Sequence, residues 1–268
     1  MPAPAQGTLV HPWSILFLVP GWAGGRSTRG VSVIINPREL CVNAPASIVH
    51  LYILLDRSGS MASMAEQVVA GFNRLLAEQL ADGPDARMSL IQFDDDDPHE
   101  VIADTVPLLE IVPLTQRVFQ PRGMTPLLDA TGRLIARAAG RAADLAATGT
   151  PGERIVVVTI TDGEENASRE YTRRQVVDLV RAKEAEGWTF VFLGAGLDAY
   201  SEADGLGYDA RSVQSFAADG TGADLAFSSL SAKTRDLRGK VRRGERYDAA
   251  DFFEGDKPAE DDRDRRTD

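Results

Sequence analysis

Cysteine and histidine are scarce in this sequence. Its 268 residues include one cysteine, Cys41, and three histidines, His11, His50 and His99. A single cysteine cannot form an internal disulfide, and a metal site built from several thiolates is excluded. Because the histidines are scattered along the chain, a histidine-rich zinc site is not expected either.

The chain also lacks a long hydrophobic run. The apolar stretch near its start, residues 13–19, has seven residues, whereas a membrane-spanning helix needs about 20. No Lys or Arg precedes this stretch, so the positive region of a secretory signal peptide is missing. We expect a cytoplasmic protein in which residues 1–47 are a poorly ordered extension. A signal peptide, or an added strand near Val31–Ile35, is the alternative interpretation of this region.

Basic side chains are outnumbered by acidic ones. The 29 Lys and Arg residues against 40 Asp and Glu residues give a formal net charge of −11. Such a surface repels the phosphates of nucleic acids and anionic lipids, so binding to nucleic acid or to a membrane is not expected as a primary role. The hydrophobic content of 43% is ordinary for a globular protein and argues against wholesale disorder.

Short apolar segments alternate with helical patterns through the middle of the chain. Strands buried on both faces are predicted at VHLYILL (49–55), RMSLIQF (87–93), IVVVTIT (155–161) and WTFVFL (188–193). Helices are predicted near 68–80, from Pro126 onward, and over 171–186 and 221–238, with an antiparallel edge over 100–111 and a short last strand over 212–216. Strands separated by helices imply parallel crossovers. The sequence therefore predicts a doubly wound, Rossmann-like α/β domain with a mainly parallel sheet, one antiparallel edge strand and helices on both faces.

The predicted domain covers residues 48–242. Residues 243–268 are rich in charges of both signs and are expected to form a disordered tail. The few apolar residues of this tail include Phe252 and Phe253. In an alternative interpretation, these two residues dock on the domain or on a partner. The acidic stretch Asp94–Asp97 is interpreted as a solvated hairpin tip rather than a cation site, because it lacks the spacing of a calcium loop.

Polar side chains follow the central strands. Asp56, Ser58 and Ser60 come directly after the first strand, Asp162 follows the strand that ends at residue 161, and Thr125 opens a predicted helix. In a doubly wound fold these loops lie at the carboxyl edge of the sheet. Carboxylate and hydroxyl oxygens suit a hard divalent ion such as Mg²⁺ or Mn²⁺. Two carboxylates leave such an ion incompletely coordinated, so one position stays open for water or for a carboxylate of another molecule.

These five residues resemble the metal-ion-dependent adhesion site, or MIDAS, of von Willebrand factor A domains. The resemblance covers about residues 49–240 and matches every ligand position of that motif. Three longer strings are similar to bacterial stand-alone members in particular, some of which accompany stress-resistance operons: DRSGSM, GMTPLLDA and TDGEENAS.

The resemblance implies a role for each residue. Ser58, Ser60 and Thr125 would bind the metal through their hydroxyls, while Asp56 and Asp162 would hold it directly or through waters. An Asp or Glu of a protein partner would fill the sixth position, and the site would bind a partner without catalysing a reaction. A separate AAA+ ATPase, kinase or phosphatase is a further expected partner. Because Thr125 and the Asp56 turn lie on different loops, we also expect Thr125 to act as a switch that moves the helix after Pro126.

Other classes of function remain open. A metal-dependent phosphoryl-transfer enzyme could use Asp56 as its nucleophile, although Ser58 stands where a second aspartate would serve as general acid. A scaffold with an idle metal site is another alternative. A serine hydrolase is disfavoured because Ser58 lies outside a Gly-x-Ser-x-Gly elbow. The stretch 194–199 formally fits a dinucleotide-binding pattern, but we interpret it as a small-residue loop.

Overall fold

The structure is a computed structural model, and it describes residues 48–196, 199–248, 252 and 253. The strands in this part of the chain are β1 (Val49–Asp56), β2 (Ala86–Phe93), β3 (Glu100–Pro107), β4 (Arg154–Thr161), β5 (Thr189–Ala195) and β6 (Val213–Phe216). The α-helices are α1 (Ala65–Asp82), α2 (Leu127–Ala147), α3 (Arg173–Ala185), α4 (Ala199–Gly205) and α5 (Gly220–Arg243). Short 3-10 helices lie at Gly59–Met64, Leu108–Glu110 and Ala210–Ser212.

The strands form one six-stranded sheet in the order β3-β2-β1-β4-β5-β6. Every neighbouring pair is parallel except β2 and β3, which are antiparallel. This confirms the predicted fold class, including the antiparallel edge strand. The chain adds β2 on one side of β1 and β4 on the other, so the strand order reverses there. Ligands of doubly wound folds bind at this reversal, beyond the carboxyl ends of the strands.

Both faces of the sheet are covered, which explains the nearly continuous apolar strands. All eight residues of β1 are buried. Because side chains alternate along a strand, Leu51 and Ile53 pack with α1 and α5 on one face, while Tyr52 and Leu54 pack with α2 and α3 on the other. A strand enclosed on two sides needs apolar residues at successive positions.

The carboxyl-terminal boundary differs in detail from the predicted one. Helix α5 ends at Arg243, one residue beyond the predicted domain. Phe252 and Phe253, placed in the predicted tail, are 2% and 0% exposed and belong to the core beside α1 and α5. The backbone N–H of Phe253 donates to the carbonyl of Arg211 at 2.9 Å. The prediction for residues 254–268 lies outside the described residues.

Two other predictions concern the amino-terminal region and the membrane. The proposed extension over residues 1–47, with its possible strand at Val31–Ile35, lies outside the described residues. Within the part that the structure describes, no helix combines the length and the apolar character needed to cross a bilayer.

Candidate metal centre

The end of β1 brings three oxygen-bearing side chains into one tight turn. Asp56 is the last residue of β1 and is 0% exposed. The backbone N–H of Ser58 donates to Asp56 Oδ1 at 2.7 Å, which folds the chain back over the carboxylate, and a 3-10 helix starts at Gly59. The hydroxyl oxygens of Ser58 and Ser60 lie 3.0 Å apart as a result.

Strand β4 places Asp162 beside this turn. Leu55 of β1 lies opposite Ile160 of β4, so the two strands end at the same level. The hydroxyl of Thr161 donates to Asp56 Oδ2 at 2.5 Å. One residue further on, Asp162 Oδ1 accepts a hydrogen bond of 2.7 Å from the hydroxyl of Ser60.

The third loop contributes Thr125, directly before α2. Gly163 shows how the three loops meet, because a Cβ atom added to this glycine would lie 2.8 Å from Thr125 Oγ1, 3.6 Å from Ser60 Oγ and 3.7 Å from Asp56 Oδ2. One small space beside Gly163, which lies on the loop after β4, is therefore lined by oxygen atoms from the two other loops. The structure thus brings the five predicted residues together, and their role as metal ligands stays a prediction.

The chemistry of this site fits a hard divalent cation. Its polar side chains offer two carboxylates and three hydroxyls, the oxygen ligands that Mg²⁺ and Mn²⁺ prefer. In the described residues no group of three or more His, Cys, Asp and Glu side chains could hold a metal, so a metal here depends on the hydroxyls as well as the carboxylates.

Burial shifts both carboxylates toward their protonated forms. It raises the pKa of Asp56 to about 6, against the opposing effect of hydrogen bonds from Thr161 and Ser58. Burial likewise raises the pKa of Asp162, opposed by the hydrogen bond from Ser60. Loss of solvation disfavours a charged carboxylate, and a bound cation reverses that effect. The two carboxylates therefore gain from a positive charge placed between them.

Asp94 and Arg57 support the site in a way that the sequence analysis missed. The interpretation of Asp94–Asp97 as a solvated tip is wrong for Asp94, which is 0% exposed. Arg57 Nε donates to Asp94 Oδ2 at 2.8 Å, and Arg122 Nε donates to the same oxygen at 2.8 Å. Because Arg57 lies inside the Asp56 turn and Arg122 precedes Thr125, the buried aspartate ties two of the three loops together. Nothing in the local sequence distinguishes Asp94 from its acidic neighbours.

Asn166 is a second residue whose role was missed. Its side-chain Oδ1 accepts a hydrogen bond of 2.9 Å from the backbone N–H of Thr125, and its own backbone N–H donates to the carbonyl of Thr125 at 3.1 Å. The pairing joins positions 41 residues apart, so only the folded chain reveals it.

His50 lies at the opposite end of β1 from the turn that carries the two serines. His50 is the second residue of β1 and is 0% exposed. Its ring nitrogens bond to Ser89 Oγ at 3.0 Å and to Glu153 Oε2 at 2.9 Å. This order of groups matches a hydrolase triad, yet Ser89 is also 0% exposed and accepts a hydrogen bond from Thr105 N. Because the Ser89 hydroxyl is enclosed, it cannot reach a substrate. We therefore interpret His50, Ser89 and Glu153 as a structural hydrogen-bond network.

The glycine-rich stretch that begins at the end of β5 does not lead into the kind of helix that a phosphate-binding loop requires. Gly194 still belongs to β5, and α4, which starts at Ala199, has seven residues. A dinucleotide site uses the start of a long helix that packs against the strand. The interpretation as a small-residue loop omits this short helix, which starts at the last residue of the stretch.

No protein-family model and no curated protein matches the chain. Among solved structures, it is similar to the pilus adhesin SpaC from Lactobacillus rhamnosus GG, with a TM-score of 0.54, 12% identity, and coverage of 72% of this chain and 31% of the adhesin. It is also similar to the SpRpn10 VWA domain, with a TM-score of 0.47 and 14% identity over 68% of this chain and 95% of that domain.

A third similar structure is proximal thread matrix protein 1 from the mussel byssus, with a zinc-occupied MIDAS motif. Its TM-score is 0.47 and its identity 15%, over 69% of this chain and 47% of the mussel protein. The chain thus spans about half the length of the mussel protein. Neighbours of this chain therefore include von Willebrand factor A domains, and at these identities the likeness concerns the fold alone.

Proposed function

We propose that this protein is a metal-dependent docking module that binds an acidic side chain of a partner protein through Mg²⁺ or Mn²⁺. Ser58, Ser60 and Thr125 would hold the ion through their hydroxyls, with Asp56 and Asp162 as direct or water-mediated ligands. The observation that carries this proposal is the space beside Gly163, on the loop after β4, which lies within 4 Å of oxygen atoms of Asp56, Ser60 and Thr125 from the two other loops.

Charge and accessibility support a carboxylate as the partner's group. Two carboxylates would leave a divalent ion with little positive charge, so a single carboxylate of a partner is a better match than a more highly charged phosphate. Mg²⁺ seeks six oxygen ligands, and the incoming carboxylate oxygen would complete the coordination. The site is reachable from solvent because Ser60 is exposed and Asp162 is half-buried. Met124, next to Thr125 in the chain, is 46% exposed.

The surroundings of the serines and of Asp56 favour docking over catalysis. Among the described residues, the Ser58 and Ser60 hydroxyls bond to each other and to Asp162. A cation bound to the Asp162 carboxylate would keep it from accepting a proton as a general base. Asp56 is fully buried and accepts hydrogen bonds at both oxygens, so an in-line attack on a phosphoryl group would require the turn to open.

The motif strings support a setting for the module. Their resemblance to bacterial stand-alone members favours a bacterial, cytoplasmic stress-response or ATPase-associated complex. The AAA+ ATPase, kinase or phosphatase of such a complex would be a separate chain.

Calorimetric titration of Mn²⁺ into EDTA-treated protein tests the metal site. We expect saturable one-site binding that is lost in Asp162→Asn and kept in Asp95→Asn, a matched control whose carboxylate bonds to the Met124 amide instead. Absence of binding to the wild-type protein at millimolar Mn²⁺ would contradict the proposal. Water-proton relaxation then tests the open position, because an exchangeable water must remain on the bound Mn²⁺ for a partner to displace.

A further inference from the structure

The segment between β4 and α3, residues 162–172, pairs with the loop that carries Thr125. Asn166 bonds to both the N–H and the carbonyl of Thr125, at 2.9 and 3.1 Å. Since Asn166 lies four positions after Asp162, one short stretch carries a predicted ligand and holds the backbone of another. The position of Thr125 relative to Asp162 is therefore defined by direct hydrogen bonds.

The same segment caps the start of α2. The first N–H groups of a helix lack partners within it, and Pro126 at the N-cap position supplies no side-chain bond. Glu165 Oε2 accepts a hydrogen bond of 2.8 Å from the N–H of Leu128 instead, and Ser168 Oγ accepts one of 3.0 Å from Asp129 N. A carboxylate at this end of a helix also interacts favourably with the helix dipole.

Glu165 is itself held in place. Its Oε1 accepts from the backbone N–H groups of Ala167 and Ser168 at 3.0 and 2.8 Å, and its Oε2 accepts from the Ser168 hydroxyl at 2.7 Å. A carboxylate fixed by several donors loses little freedom when it also binds Leu128. The cap is therefore built into the segment rather than added by a flexible side chain.

Helix α2 holds the segment in return. Asp129 is 4% exposed and accepts from three consecutive backbone N–H groups, those of Arg169, Glu170 and Tyr171, at 2.8, 2.9 and 2.8 Å. The ring of Tyr171 lies against Gly132, where an added Cβ would come within 2.6 Å of the ring carbons. The contacts are thus reciprocal, and neither part can move without breaking bonds of the other.

We infer that these contacts form a reciprocal clamp, with Glu165 and Asn166 as positioning residues, that holds Thr125 and the first turn of α2 in place for metal binding before the metal arrives. The metal part of this inference rests on the proposed function, whereas the clamp itself does not. It also argues against the predicted switch at Thr125, because moving that residue would break the Asn166 pair and uncap α2.

Neighbouring glutamates provide a charge-matched test. Glu165→Gln replaces the capping carboxylate. Glu164→Gln removes the same charge at the preceding position, where the side chain is exposed and makes no hydrogen bond within the described part of the chain. Removing a group that orients a metal ligand costs about 10- to 100-fold in affinity. We expect such a loss of Mn²⁺ affinity in Glu165→Gln and less than about threefold in Glu164→Gln. Equal losses in the two variants would overturn the inference.

A conservative pair tests the second positioning residue. Asn166→Asp keeps the oxygen that accepts from Thr125 N, whereas Asn166→Ala removes it. We expect wild-type or higher Mn²⁺ affinity in the first variant, because the added negative charge also attracts the cation, and a loss in the second. Equal behaviour of the two variants would contradict a role through this hydrogen bond.

A double-mutant cycle tests whether Glu165 acts through Thr125. Residues that act through a shared group give non-additive effects. We expect Thr125→Ala to bind Mn²⁺ as weakly as Thr125→Ala combined with Glu165→Gln. Additive losses would place the effect of Glu165 elsewhere and overturn the proposal.

Hydrogen exchange of EDTA-treated protein separates the clamp from the metal site. We expect slow exchange of the Thr125 and Leu128 amides in the wild type and in Glu164→Gln, and fast exchange of Leu128 in Glu165→Gln. Fast exchange in the wild type, with Mn²⁺ binding intact, would overturn the clamp and leave the proposed function standing. Protected amides in a protein that binds no Mn²⁺ would support the clamp and contradict the proposed function. Circular dichroism checks that each variant is folded.

Discussion

At the scale of single residues, the space beside Gly163 is the feature that defines the site. A glycine is needed there because an added Cβ would lie 2.8 Å from Thr125 Oγ1, closer than ordinary van der Waals contact. The residue has no unusual backbone requirement, so alanine can take the same conformation. A substitution would therefore fill the space and overlap with Thr125 Oγ1, without straining the backbone.

Gly163→Ala should therefore weaken metal binding while the fold persists. We expect Mn²⁺ affinity to fall by at least about tenfold, which is about 1.4 kcal/mol of binding free energy. Gly152→Ala is the matched control, since an added Cβ meets nothing within 4 Å there. Calorimetry measures the Mn²⁺ affinity, and thermal unfolding checks that the fold persists. Unchanged Mn²⁺ affinity in Gly163→Ala would mean that the ion, if bound, lies elsewhere.

The raised pKa of Asp56 predicts how metal binding depends on pH. Burial raises this pKa to about 6, and a metal binds the deprotonated carboxylate, so protons compete with it below pH 6. We expect a constant Mn²⁺ affinity between pH 7 and 8. Below pH 6 the affinity should fall by about tenfold per pH unit for each carboxylate that must lose a proton. Titrations at pH 5 and pH 7 that give the same affinity would contradict a role for Asp56 as a ligand.

At the scale of elements, the order of strands and helices could be predicted from the sequence, but contacts between distant segments could not. The four long apolar runs identify β1, β2, β4 and β5 because a strand enclosed on both faces has few polar positions. The candidate ligand residues follow from the rule that loops meet at the carboxyl edge. The hydrogen bond by which Glu165 caps α2 joins it to Leu128, 37 positions earlier, and no local sequence pattern predicts this contact. Asp94 was misjudged for the same reason, since its arginine partners come from other loops.

Helix α1 illustrates another distant cap, made by Arg238 of α5. This side chain is 0% exposed and donates to the carbonyls of Gln79 and Gly83, each at 2.7 Å, at the end of α1. It also donates to Asp85 Oδ1 at 2.5 Å. Carbonyls of the last helical turn lack partners within the helix, so a buried guanidinium satisfies several of them at once.

Arg238→Met should destabilise the protein strongly. It keeps the bulk of the side chain but leaves buried acceptors unpaired, which costs about 3 kcal/mol in the free energy of unfolding. Arg242→Met, at an exposed residue paired with Asp82 and Asp85, should cost less than about 1 kcal/mol. Urea unfolding of the two variants gives both values. Comparable losses of unfolding free energy in the two variants would show that the buried position of Arg238 does not make its hydrogen bonds more stabilising.

At the scale of the whole molecule, the core extends past the boundary that the sequence predicts. Composition separates a folded domain from a charged tail near residue 242, because two phenylalanines among many charges give little hydrophobic signal. In the structure Phe252 and Phe253 lie with their ring centroids 4.8 Å apart, at right angles, within the core cluster on the face of α1 and α5. The hydrogen bond from Phe253 N to Arg211 O then fixes the chain against the 3-10 helix before β6.

Phe253→Ala should therefore behave as a core substitution rather than as a change in a tail. Burial of a phenylalanine side chain is worth about 3 kcal/mol or more when its truncation leaves a cavity. We expect a loss of that size in the free energy of unfolding, and a similar loss for Phe252→Ala. Val112→Ala is the control, because Val112 is a large apolar residue that is 81% exposed and should change stability by less than about 0.5 kcal/mol. Urea unfolding of the full-length variants measures all three. If Phe253→Ala is as stable as Val112→Ala, the two rings do not belong to the core in solution, and the domain ends near residue 243 as its composition indicates.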